Sequence, residues 1–172
     1  MMDKQTVKTL AQYNRITNEQ MNSIISSLTD QEWNRNFGGY YPSIHSVCNH
    51  LYLADFNWLK RFQNLRGFNY RRSPVFEHSY SFASNVLDSI ESYVPMREEL
   101  DSLFVAMSEE VSEEDFKGTL NWKNFKGVDE SRNFGGILLH VFNHQTHHRG
   151  MISLYLELLG QQNDFSNLML LV

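Results

Sequence analysis

The segment HVFNHQTHHRG, residues 140–150, holds four of the seven histidines of this 172-residue chain. Around it, Ile137, Val141, His144, His148, Met151, Tyr155 and Leu158 recur at alternating steps of four and three. That spacing predicts one face of a helix over about 132–160, closed by Gly160 as a C-terminal cap. Two middle positions of this inward seam are histidine. Residues four apart stack on one side of a helix, about 6 Å from each other, so His144 and His148 can converge on one point. Two readings follow: a pair of core imidazoles bonded to carbonyls, or two nitrogen donors for a metal ion.

Three more helices are predicted by the same spacing. The first covers about 4–29, with Val7, Leu10, Asn14, Thr17, Met21, Ile24 and Leu28 on one face. The second starts near Ser43, an N-cap following Pro42, and carries Val47, Leu51, Ala54, Trp58 and Phe62 inward. The third covers about 82–108, with Val86, Ile90, Tyr93, Arg97, Leu100, Phe104 and Met107 on its seam. The connections, roughly 30–42, 65–81 and 109–131, are long enough for a crossover. Four amphipathic helices predict an all-α chain, a four-helix bundle forming a single domain over 1–172. Within the last connection, GTLNWKNFKG alternates like a short hairpin. The acidic run SEEVSEED before it reads as a solvated helix end, and the last nine residues as a turn or two packing back.

His50 lies between Val47 and Ala54 on the second seam and so also points inward. Three histidines from two helices, with a further side left open, form the donor set of a catalytic metal site. Cys48, the one cysteine, lies about 200° around the helix from His50 and reads as a small buried residue. His140 stands one turn before His144 and is a candidate fourth ligand or cavity residue; His147 faces a flank. Asn49 and Asn143 directly precede ligand candidates and could steady their rings. Asn14, Thr17 and Arg97 interrupt apolar seams and are candidates for the pocket wall. Arg97 either pairs with an acidic side chain across the bundle or grips an anionic substrate or thiol. Arg149, just off the seam, is expected to bind a helix end or a partner chain.

Composition bounds the partners. The net charge is −5, and the densest basic cluster, Arg61, Arg66, Arg71 and Arg72 with Phe68 and Tyr70, reads as a solvated loop, so no nucleic-acid partner is expected. No apolar run is long enough for a membrane span, and MMDKQTVKTLAQYN lacks the apolar centre of a signal peptide. A cytoplasmic location with no membrane partner is expected.

FGGYYPSIHSVCNHLYLADFNWLKRF and HVFNHQTHHRGMISLYLELLG, with AQYNRITNEQM and GTLNWKNFKG, resemble the DinB family across nearly the whole chain. The most specific pieces are NHLYLAD and NHQTHHRG. The resemblance implies a crossover bundle in up-down-down-up order, a homodimer, and a divalent metal held by His50, His144 and His148. Met151 follows HRG where many relatives carry glutamine. Families related to this one include thiol-dependent S-transferases and metal-dependent maleylpyruvate isomerases. The expected function is a metal-dependent enzyme using zinc or nickel on a small-molecule substrate, most concretely transfer to a low-molecular-weight thiol. Metal-assisted hydrolysis is the second reading, and a non-catalytic metal- or ligand-binding stress-response protein the third.

Overall fold

Every long helix begins at a side chain that accepts a hydrogen bond from its own first turn. Asp3 takes the amide of Thr6 at 2.7 Å and opens α1, Lys4–Ile25. Ser43 takes that of Ser46 at 3.1 Å and opens α3, Ile44–Arg61. Ser89 takes that of Ser92 at 3.3 Å and opens α4, Ile90–Glu110. Asn133 takes that of Gly136 at 3.0 Å and opens α5, Phe134–Leu158. Each cap satisfies one of the amides that a helix start leaves without a partner. The computed structural model describes residues 2–172; Met1 lies outside them.

Among the described residues the chain is mostly helical, with five α-helices and one small sheet. The expected first helix stops at Ile25, and a four-residue helix, α2 (Asp30–Trp33), follows with its own capping box at Thr29 and Glu32. The expected third helix starts eight residues late. Residues ahead of Ser89 are held as loop by the Asn49 side chain, whose Oδ1 accepts from the Val86 amide and whose Nδ2 donates to the Ser84 carbonyl, both at 2.9 Å. Asn49 is thus a loop anchor and steadies no histidine ring. Gly160 takes a positive φ of 83° just past α5. Its amide reaches Glu157, and that of Gln161 reaches Leu156, the paired bonds of a Schellman stop.

The all-α expectation needs correction at 119–133. Strands β1 (Thr119–Lys123) and β2 (Asp129–Asn133) pair antiparallel around a turn in which Asn124 accepts from the amides of Lys126 and Val128. The acidic run does end α4, with Glu109, Glu113 and Glu114 exposed, but two of its carboxylates are engaged. The Glu110 carboxylate accepts the amides of Asn69 and Tyr70, and Asp115 receives two bonds from Arg66 at 2.9 Å. Arg66 also lies over Phe68 and Arg71 over Phe76. The basic, aromatic connection is therefore fastened to the chain's own acidic segment.

The four long helices pack as a ring of pairs, α1 and α3 each against both α4 and α5. At its centre stands a polar network. Arg97 on α4, with no exposed surface, donates to Asp55 of α3 at 2.6 Å and to Asp101 of its own helix at 2.8 Å. Asn14 and Asn18 of α1 donate to Asp101, and Gln145 of α5 donates to Asp55. Arg149, also on α5, donates to Asn14 and to Thr146. All four helices thus meet at two carboxylates and two guanidinium groups. Burial opposes the charge on Arg97, but the attraction of Asp101 and Asp55 outweighs it and holds the guanidinium protonated.

Removing one partner of such a group leaves an uncompensated buried charge. Arg97→Met is expected to cost about 3–5 kcal/mol of unfolding free energy. Arg132→Ala, which breaks an exposed pair with Glu130, should cost less than about 1 kcal/mol. Urea unfolding of the two variants beside the parent protein measures both.

Candidate metal centre

α5 carries His144 and His148 one turn apart, and α3 places His50 opposite them two turns after its N-cap. All three rings turn the same nitrogen inward. The Nε2 of His144 lies 3.2 Å from Nε2 of His50 and 3.1 Å from Nε2 of His148. His148 is buried at 5% exposure, while His50 and His144 are half-buried. These three are also the residues whose donor atoms lie close enough together to share an ion among the described residues.

Hydrogen bonding does not account for this convergence. A neutral Nε2 either donates one proton or accepts at one lone pair, and His144 would have to satisfy two neighbours with it. A cation satisfies all three lone pairs at once. Two nitrogens bound tetrahedrally at about 2.0–2.1 Å from one zinc are about 3.3 Å apart, close to the separations seen. The donor set therefore fits a divalent metal.

The surroundings favour neutral rings. Burial, then the neighbouring His144, lowers the pKa of His50 to about 4. Burial, then the other histidines, lowers that of His148 to about 3. Burial also lowers that of His144, against the attraction of Asp55. An imidazole that stays neutral keeps its lone pair for a metal.

The ring of His50 is held by a residue the sequence reading missed. The Tyr41 hydroxyl lies 2.8 Å from its Nδ1, and the two rings stack with centroids 4.3 Å apart. With Nε2 acting as a donor atom, Nδ1 carries the proton and Tyr41 accepts it. The loop bearing Tyr41 is held from α5. The Tyr155 hydroxyl donates to the Tyr41 carbonyl at 2.9 Å, and its ring stacks on Phe37. Gly39 passes so close to Tyr155 that a Cβ there would sit 2.1 Å from the hydroxyl. Helical periodicity cannot report a contact that reaches from a loop, and the tyrosine pair in GGYYPS was the only sign of it.

A cleft of about 770 Å³ opens beside the cluster, with His50 and Tyr41 in its wall. The other pocket candidates do not line it. Arg97 and Asn14 belong to the buried network, and Thr17 is buried on α1 beside a separate groove under the C-terminal segment. Mid-seam polar residues are covered by four helices at once, so they pair with each other rather than with a ligand. Arg149 lies in that core as well, not at a helix end. His140 is exposed, its ring 6.0 Å from that of His144, and it packs edge-on to Trp58. His147 and Asn143 are exposed.

A mostly helical protein with three histidines gathered so that they could hold a metal ion describes a class. Comparison with known proteins makes it narrower: the chain belongs to the DinB family, whose model matches residues 1–169. It is similar to Protein DinB of Bacillus subtilis (strain 168), 25% identical over 156 residues, which covers 88% of this chain and 84% of that protein.

Two outcomes are expected. His50→Ala, His144→Ala and His148→Ala each lose bound metal, read by elemental analysis of untagged protein, while His147→Ala keeps it. In metal-free protein the folded-state pKa values of His50 and His148 lie below the ordinary 6.5. The unfolded chain then binds more protons below that pH, so stability present above about 6.5 is lost as pH falls toward 4. Thermal melts across this range should show a shallower decline in His148→Ala.

Proposed function

We propose that the protein is a metal-dependent enzyme whose divalent ion, zinc or nickel, is held by Nε2 of His50, His144 and His148. The observation that carries this reading is the convergence of three Nε2 atoms beside a cleft. Imidazole donors suit either metal. Within the family likeness, the four long helices form one domain over 1–172, in up-down-down-up order.

The reaction we infer is transfer of a small electrophilic substrate to a low-molecular-weight thiol. A bound divalent ion would favour the thiolate form of a thiol at this point. The residues of the chain do the rest. The three histidines orient the reacting centre, Tyr41 holds the ring of His50 through Nδ1, and the cleft holds the substrate. The thiol proton leaves through the open mouth. Sulfur bonds to the electrophilic carbon, and the leaving group departs with its bonding pair. Arg97 is engaged with two carboxylates and does not hold the thiol.

Hydrolysis is the weaker reading because it needs a general base. None of the residues lining the cleft is Asp or Glu, and Asp55 and Asp101 are spent on Arg97. The setting we propose is cytoplasmic, as the composition suggests, and homodimeric, as the family likeness implies.

The test is thioether formation between a low-molecular-weight thiol and a chlorodinitrobenzene, followed by absorbance with zinc- or nickel-loaded protein. The expected result is a rate above background that requires both the thiol and an intact His144. Ester hydrolysis without thiol would move the reading to a hydrolase. Neither activity, with metal bound, would leave a metal-binding role.

A further inference from the structure

The wall of the cleft beside His50 has an unusual composition for a site in a chain that is 20% charged. Eleven residues line it, and none is Asp, Glu, Lys or Arg. Its polar groups are largely occupied already. Both ring nitrogens of His45 face oxygens, Asn34 Oδ1 at 3.0 Å and the Leu87 carbonyl at 2.8 Å. The Asn49 amide is taken up by the loop at 84–86. Ser46 donates to Ser43, and Tyr41 bonds His50. The lining itself therefore supplies no charged side chain; the nearest cations, Arg61 and Lys126, lie over the Phe82 and Phe125 rings and are not part of it, and enclosing an unpaired charge is costly.

What the wall does offer is aromatic surface. Tyr40, Phe82 and Phe125 stand at the rim with exposures of 90%, 43% and 78%. They come from three separate connections: the loop before α3, the loop before α4 and the turn of the hairpin. Three large rings held in water around one opening lose hydrophobic stabilisation that a flat apolar ligand would restore. The volume is that of a site for a small molecule.

We propose that this cleft binds an uncharged molecule with a planar apolar ring system, held between the ring faces of Tyr40, Phe82 and Phe125. The assignment rests on the proposed function only in taking the cleft as the entrance to the three histidines. It names the chemical class of the substrate that meets the thiol there.

Three probes with one ring system and different charge test it: indole, indole-3-acetate and tryptamine. Their binding is measured by equilibrium dialysis against the full chain and against His144→Ala, in which an ion cannot attract the carboxylate. Indole is expected to bind both proteins, at least fivefold more tightly than either charged probe to His144→Ala. Phe82→Ala and Phe125→Ala, at exposed positions, should each weaken indole about three- to tenfold, and Leu154→Ala, exposed on α5 away from the cleft, should not. Circular dichroism confirms that the variants fold. Absence of indole binding, or an unchanged affinity in both ring variants, overturns the proposal. Tighter binding of indole-3-acetate than of indole also overturns it, and points to Arg61 and Lys126, which lie against Phe82 and Phe125. Indole binding in a protein that takes up no metal would refute the metal reading and leave the cleft assignment intact.

Discussion

The Arg97 guanidinium sits where four helices meet, and the fold has to be assembled around it. A charge at that depth requires Asp55 from α3 and Asp101 from its own helix in place. Asn14, Asn18 and Gln145 then come from α1 and α5 to add bonds to the carboxylates. Apolar contacts alone tolerate sliding of one helix along another. A bonded array of this kind does not, because a one-turn slip would strand two carboxylates and two guanidinium groups without partners. The cost of desolvating these groups is exchanged for a defined register.

That register fixes the histidine cluster. Asp55 lies five residues beyond His50 on α3, and Gln145 directly follows His144 on α5. The pair that joins Asp55 to Gln145 therefore sets the heights of His50 and His144 relative to each other. The Nε2 separations of 3.1 and 3.2 Å depend on this alignment, since a shift of one helical residue, about 1.5 Å, would open or crush them.

Much of this was legible in the sequence, and the failures have common causes. The seams located the four long helices, and the phase of His50, His144 and His148 identified residues that do meet. Periodicity gave less where local hydrogen bonding decides. Ser89 starts α4 well after the apolar pattern begins, and the 119–123 and 129–133 segments pair as strands. Polarity on a seam was open to two interpretations. Arg97 and Asn14 looked like pocket residues, and the missing information was that Asp55 and Asp101 also point inward. The two carboxylates occur on helices whose faces are buried more broadly than a single stripe. Tyr41 was invisible because a loop carries it, and nothing in helical phase tells where a loop returns.

The division of labour between helices and connections has an evolutionary consequence. The histidines stand on α3 and α5, locked by the central network, whereas Tyr40, Phe82 and Phe125 stand on three connections that contribute little to it. Substitutions in those connections can remodel the cleft wall without disturbing the cluster. A cluster held by the helices can then persist while the shape of the cleft beside it changes. In such a lineage the connections would diversify while the histidine-bearing helices stayed nearly constant.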